Sequence, residues 1–198
     1  MSKTNFQNRR KRIFDFALAL LIAPFVAVLC MALVLIIILA DGFPAIFAQR
    51  RCGQNGTPFT LYKLRTMRVG TPDRATHLSQ QNDVTALGRI LRRTKADELP
   101  QLWNVLAGQM SFVGPRPCLL DQSTLINARE RLGVNALKPG ITGPSQVAGI
   151  DMSDPERLAA ADGAYLSNWS AANDLRIMMR TIRGSGRGDP IEAGNADR

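Results

Sequence analysis

The chain has 198 residues, 45% of them hydrophobic, a formal net charge of +9, three cysteines and one histidine. That length leaves one domain of modest size beyond any anchor, and the three widely spaced cysteines (Cys30, Cys52, Cys118) form neither a disulfide framework nor a metal pattern, which fits a reducing compartment. A lone His77 in a polar stretch excludes a His-rich metal site, while the positive balance suits anionic lipid head groups, nucleic acid or phosphorylated substrates.

In chain order, the first element is a basic cluster, Arg9-Arg10-Lys11-Arg12, followed by the apolar run Ile13 to Ala40. A straight helix over the run extends roughly 42 Å at about 1.5 Å per residue, enough for the ~30 Å hydrocarbon core. Pro24 interrupts it into pieces of about 11 and 16 residues, the first too short to span and the second marginal. Arg50, Arg51, Lys63, Arg65 and Arg68 follow the run, so both flanks favour the cytoplasmic side. A bent helix entering and leaving by one face satisfies both flanks; a kinked single span is the alternative. Lys11, one turn before Asp15, is the nearest partner for that carboxylate.

Ile46 to Arg51 and Phe59 to Met67 read as strands joined through Gln54-Asn55-Gly56, a β-hairpin. Residues 70–83 read as a loop. Short helices are predicted from Leu87 to Arg93 and from Pro100 to Leu106, the latter ending at Gly108. Ser111-Phe-Val reads as a short strand before the rigid Gly114-Pro-Arg-Pro117, and Gln122 to Leu132 as an amphipathic helix. Lys138 to Pro144 is turn-rich. Pro155 to Ser170 and Leu175 to Ile182 read as helices, the second carrying Arg176, Arg180 and Arg183, which suits an anionic lipid surface or a solvated basic face. Trp103, Trp169 and Tyr165 fit either a membrane interface or a packed core. The tail from Gly184 reads as flexible, and its Gly-Ser-Gly-Arg-Gly is a linker rather than a phosphate loop.

Asp97-Glu98-Leu-Pro100 is the sharpest polar feature. Pro100 belongs at the start of its helix, which puts both carboxylates at a helix N-terminus, as caps or as a site. Arg92 and Arg93 lie one turn upstream, Arg116 is fixed between two prolines, and Lys63 and Arg65 alternate on a predicted strand. Carboxylates beside such a basic set describe a site for a phosphorylated ligand with a bridging Mg²⁺. Solvated surface charges are the plainer reading of the same pattern.

Several motifs then occur together: Lys11-Arg-Ile-Phe-Asp15 before the apolar helix, Leu61-Tyr-Lys-Leu-Arg-Thr-Met67, the block Arg92 to Pro117 containing Asp-Glu-Leu-Pro-Gln and Gly-Pro-Arg-Pro, and Lys138-Pro-Gly-Ile-Thr-Gly143. In this order they resemble the bacterial sugar transferases, monotopic phosphoglycosyl transferases that act on undecaprenyl phosphate. The resemblance implies a mixed α/β, mostly helical fold. It comprises a basic N-terminus with a re-entrant membrane helix broken at Pro24 (residues 1–44), a compact membrane-associated catalytic domain with a β-hairpin (45–183) and a flexible tail (184–198). It implies that Asp97 attacks the β-phosphate of a UDP-sugar, releases UMP and passes the phosphosugar to undecaprenyl phosphate. Glu98 is the dyad partner, and Mg²⁺ is ligated by Asp97. Lys63, Arg65, Arg92 and Arg116 hold phosphates, and Pro139 and Gly140 belong to the nucleotide pocket. The implied location is the cytoplasmic face of a bacterial inner membrane, against anionic lipid and without nucleic acid. Oligomeric state stays open, a homodimer included. The family break is often Ser-Pro, whereas this chain has Ala23-Pro24. The competing class is a membrane-anchored basic protein that binds lipid or nucleic acid without catalysis. The sugar is not specified by the sequence; the segments 70–85 and 145–172 lie outside the shared motifs.

Overall fold

The computed structural model describes residues 3–71 and 83–184, with side chains from residue 9. The predicted loop at 70–83, with His77, and the predicted tail lie mostly outside the described residues. The fold is mixed α/β and mostly helical.

Helix α1 runs from Lys3 to Asp41 and continues through Pro24 as one element. The predicted division into two pieces is therefore not seen in the secondary structure. Proline removes a single backbone donor, and a long apolar helix keeps the rest of its hydrogen-bond ladder. Within α1, Arg9–Asp41 is long and apolar enough to cross a membrane.

One stripe of α1 faces the domain. Ala19, with Ile22, Ala23 and Val26, packs on Phe59, Leu61, Leu102, Val105 and Met110. Further along, Ile37, with Leu33, Val34 and Ile38, packs on Ala45, Leu64 and Leu91. These positions recur at helical spacing, so they share a face. The opposite face leaves Leu21 and Leu39 exposed by 77% and 78%. Both halves of α1, on either side of Pro24, therefore rest on the same domain.

The expected hairpin forms. β1 (Ile46–Cys52) pairs antiparallel with β2 (Pro58–Leu64) from Ile46↔Leu64 to Cys52↔Pro58. Asn55 and Gly56 take positive φ in the connecting turn, the conformation that Asn-Gly favours. β2 stops at Leu64, short of the predicted Met67, because Arg65 turns inward. Its guanidinium donates to the carbonyls of Asp41 and Gly42, both at 2.8 Å, and to that of Pro44. These carbonyls lie at and just beyond the C-terminus of α1, where a cation is favoured.

Helix α2 (Ala86–Thr94) is capped by Thr85, whose side chain accepts from the Gly88 amide. A 3₁₀ turn, Ala96–Glu98, links it to α3 (Gln101–Leu106). β3 (Ser111–Val113) pairs in parallel with β4 (Gly140–Thr142), and α4 (Ser123–Arg131) lies between them in the chain. The turn-rich Lys138 to Pro144 therefore holds a strand that its glycines and prolines concealed. Short α5 (Pro144–Val147) follows. α6 (Pro155–Ser167) ends before the predicted Ser170, which instead caps α7 (Ala171–Ile182) by accepting from the Asn173 amide.

Buried polar groups fasten the start of α1. Lys11 donates to Asp174 at 2.5 Å, and Asp174 also accepts from Tyr165 at 2.6 Å and Trp169 at 3.2 Å. Asp15 accepts from the Ser111 hydroxyl at 2.7 Å and lies 3.9 Å from Lys11. The anticipated Lys11–Asp15 pair is thus the longer of two contacts, and the partner that sequence reading missed is Asp174. Tyr165 and Trp169 belong to this interior, whereas Trp103 is exposed.

Candidate active site

Asp97 and Glu98 sit in the 3₁₀ turn, one turn ahead of α3 rather than at its first residues. The residue before that turn, Lys95, closes α2 in the left-handed region at φ 61°. A non-glycine residue there carries backbone strain of about 1–3 kcal/mol. The bend that results turns the dyad towards β2.

On β2, Lys63 shares a strand face with buried Phe59 and Leu61. Its ammonium donates to Glu98 at 3.0 Å and lies 3.8 Å from Asp97. Asp97 is only 7% exposed. Burial pushes its carboxyl above the ordinary aspartate range; Lys63, Arg92 and Lys95 oppose that rise, and the Glu98 charge adds to it. For Glu98, burial again raises the pKa, but the charges of Lys63, Lys95 and Arg116 and the Lys63 hydrogen bond prevail and hold it below the ordinary range. The two carboxyls are thereby pushed apart: Glu98 is the firmly ionised member and Asp97 the more basic one.

The remaining predicted cations divide. Arg92, in the last turn of α2, donates through Nε to the Thr66 hydroxyl at 3.0 Å, and its charge acts on Asp97. Arg116, half-buried between Pro115 and Pro117, acts on Glu98. Arg65 does not join this group. Strand alternation ends at Leu64, and its guanidinium is engaged by the carbonyls at the end of α1. Pro139 and Gly140 are buried behind the Gly114-Pro-Arg-Pro loop. Ser111 donates to the Pro139 carbonyl and the Gly140 amide to the Pro115 carbonyl, each at 2.9 Å. A Cβ at Gly140 would lie 2.1 Å from the Gly114 nitrogen, so glycine is required there for close backbone approach.

Sequence reading missed Lys95, whose role follows from a backbone angle that no spacing reveals. It also missed Arg129 and Asp162, a buried ion pair at 2.8 Å. One sign of it was present: Arg129 falls four residues after the buried Leu125, on the apolar stripe of α4.

A cleft adjoins the dyad. Lys95 and Glu98 form its charged end, Ile22 and Val26 of α1 one apolar wall, and Leu102, Phe112 and Ile141 the other. Thr142 and Thr181, whose hydroxyls are 2.6 Å apart, also line it. Among the described residues, no group of three or more His, Cys, Asp and Glu could hold a metal. Asp97 and Glu98 offer two carboxylates at most, which fits a Mg²⁺ that keeps water and takes its other ligands from substrate phosphate.

The pKa pattern makes a prediction. If ionised Asp97 is the reacting form, turnover falls as pH drops through its elevated pKa. The acid limb of the rate profile then lies above the ordinary aspartate value. Lys63 opposes the rise, so Lys63→Met is expected to move that limb to higher pH. The rate profiles of the wild-type and Lys63→Met proteins across pH check this, and an unmoved limb contradicts it.

A buried, cation-flanked carboxylate pair that opens onto a cleft walled by a long apolar helix has the features of a membrane-associated enzyme. The chain belongs to the bacterial sugar transferase family, whose model matches residues 6–187. It is 38% identical over 173 residues to the uncharacterized sugar transferase EpsL of Bacillus subtilis (strain 168), covering 87% of this chain and 85% of the relative. It is 41% identical over 182 residues to the UDP-glucose:undecaprenyl-phosphate glucose-1-phosphate transferase of Caulobacter vibrioides, covering 87% and 68%. With the undecaprenyl-phosphate galactose phosphotransferase of Salmonella typhimurium it shares 34% identity over 190 residues, 87% of this chain but 40% of that longer relative.

Proposed function

We propose that this transferase moves a sugar-1-phosphate from a UDP-sugar to undecaprenyl phosphate through an ester on Asp97, the first membrane step of a glycan assembly. An Asp97 carboxylate oxygen attacks the β-phosphorus. The bond from that phosphorus to the α–β bridging oxygen breaks, and UMP leaves with the bonding pair. An oxygen of the lipid phosphate then attacks the same phosphorus and expels the Asp97 carboxylate. One site thus serves a water-soluble donor and a lipid acceptor in turn.

Neither displacement requires a proton to be abstracted from a carboxylate or phosphate that is already ionised. Glu98, held ionised, therefore acts by fixing Lys63, whose ammonium lies 3.0 Å from Glu98 and 3.8 Å from Asp97. Lys63, Arg92 and Arg116 hold the donor phosphates, with guanidinium groups suited to paired hydrogen bonds. Mg²⁺, held by Asp97, supplies neutralisation of the diphosphate charge.

The acceptor's first isoprene units take the apolar part of the cleft, beside Ile22 and Val26. α1 enters the cytoplasmic leaflet of the inner membrane and returns by the same face. Support comes from its packing: Ala19 and Ile37 both rest on the one domain, whereas a simple span would carry one end away from it. The exposed apolar side meets lipid, where each buried Leu, Ile or Phe contributes roughly 1.5–3 kcal/mol. Arg176, Arg180 and Arg183 of the α7 region face anionic head groups.

The observation that carries this reading is buried Asp97, 3.8 Å from the Lys63 ammonium and next to Glu98, which lines a cleft walled by α1. The test is UMP release by the enzyme in undecaprenyl-phosphate vesicles across a panel of UDP-sugars. At least one sugar is expected to give UMP together with lipid-linked sugar. No release with any of them, with salt-sensitive binding alone, would favour a non-catalytic lipid-binding protein.

A further inference from the structure

The Gly114-Pro-Arg-Pro117 loop presents a structural problem. Pro115 and Pro117 have no N–H, so the loop cannot be fastened through amides at those positions. Its carbonyls do the work instead. Pro115 accepts from the Gly140 amide at 2.9 Å and Cys118 from the Cys52 amide at 2.9 Å. Pro117 accepts from Arg51 Nη1 at 3.3 Å. The Arg116 carbonyl accepts from Arg129 Nη1 at 2.9 Å.

Arg129 is 4% exposed and Asp162 is fully buried. Arg129 gives two more N–H groups, Nε at 3.1 Å and Nη2 at 2.8 Å, to Asp162 Oδ2. Ser145 donates to Asp162 Oδ1 at 3.1 Å. Both carboxylate oxygens are thereby occupied: Asp162 of α6 holds the guanidinium and is itself held by Ser145 of α5, while Arg129 Nη1 grips the loop. A buried ion pair is a poor device for stability alone, since well-packed apolar residues do as well or better. It is a good device for aiming a rigid fork at one carbonyl.

We propose that Arg129, oriented by Asp162 and Ser145, is a positioning residue that sets the direction of the Arg116 side chain toward the donor phosphates. This rests on the phosphate-holding role of Arg116 given above. Arg129 and Asp162 are buried behind the loop, and they act through the Arg116 backbone.

The experiment is a double-mutant cycle with the full-length membrane enzyme. Arg129→Lys, which cannot serve Asp162 and the Arg116 carbonyl together, and the volume-matched pair Arg129→Met/Asp162→Leu are each made with Arg116 present and with Arg116→Ala. Melting curves identify the folded variants; the paired substitution leaves no unpaired buried charge, so the cycle stands on it if Arg129→Lys fails to fold. With Arg116 present, kcat/KM for the UDP-sugar is expected to fall about tenfold or more, the scale of a misplaced binding group, through a raised KM. With Arg116→Ala, the same changes are expected to alter kcat/KM less than about twofold. A harmful Arg116→Ala on which the Arg129 losses add in full overturns the positioning role while leaving the phosphate role standing. A silent Arg116→Ala refutes the phosphate role itself, and the positioning role falls with it.

Discussion

Asp97→Asn is expected to abolish transfer while leaving the protein folded. The loss should be on the order of 10⁴-fold or more, the scale that accompanies removal of a covalent nucleophile. An amide matches the carboxylate in shape and can accept a hydrogen bond, but it cannot form a phosphate ester. Stability is expected to move in the opposite direction. Burial raises the Asp97 pKa, so the folded chain holds that proton more tightly than the unfolded chain. Its contribution to stability is fully present below the unfolded-state pKa and is lost as pH rises to the folded value, above which both states are ionised and it changes no further. At neutral pH the neutral amide removes a desolvated charge, and the melting temperature is expected to be unchanged or higher. Measuring UMP release and thermal unfolding on the same preparation separates chemistry from folding. An active Asp97→Asn enzyme contradicts the assignment; an inactive but unfolded one shows that the carboxylate is structural.

The second large effect is expected at Asp174, far from the dyad in sequence. Asp174 is 1% exposed and is the meeting point of Lys11 from α1 with Tyr165 and Trp169. Asp174→Ala leaves the Lys11 ammonium buried with only Asp15, 3.9 Å away, strands the Trp169 indole N–H and leaves the Tyr165 hydroxyl with only the Val113 carbonyl at 3.4 Å. Breaking a buried ion pair from one side costs about 3–5 kcal/mol, which for a chain of this size lowers the melting temperature by roughly 10 °C. The charge-free pair Lys11→Met/Asp174→Leu is expected to recover most of that loss, because no unpaired ion remains. Thermal unfolding in lipid nanodiscs checks both variants. A loss confined to about 1 °C in Asp174→Ala would show that the Asp174 contacts contribute little to holding α1 on the domain.

Sequence and structure agree most closely where one strong local preference acts. The apolar run, the Asn-Gly hairpin, the short helix α2 and the carboxylate pair beside Lys63 follow from periodicity, turn chemistry and charge. Disagreement arises where a tertiary partner overrides the local pattern. Arg65 alternates with Lys63 on paper, but the carbonyls at the end of α1 draw it inward and away from the Asp97–Glu98 pair. β4 hides in Lys138-Pro-Gly-Ile-Thr because its glycines admit the Gly114 backbone rather than break the strand. Ser170 reads as the end of one helix and proves to be the cap of the next. Lys95 owes its place in the cleft to a left-handed backbone conformation, and Arg129 and Asp162 meet across 33 positions of sequence; neither fact has a signature in local spacing.

The most direct examination is of the enzyme itself during turnover. Protein quenched in acid after brief incubation with its UDP-sugar, without lipid acceptor, is digested and weighed by mass spectrometry. The peptide containing Asp97 is expected to gain the mass of one phosphosugar, and added undecaprenyl phosphate should discharge it at a rate no slower than turnover. A wild-type enzyme that keeps forming lipid-linked product with no such gain, even under rapid quench, would mean direct transfer from donor to acceptor and would contradict a covalent role for Asp97.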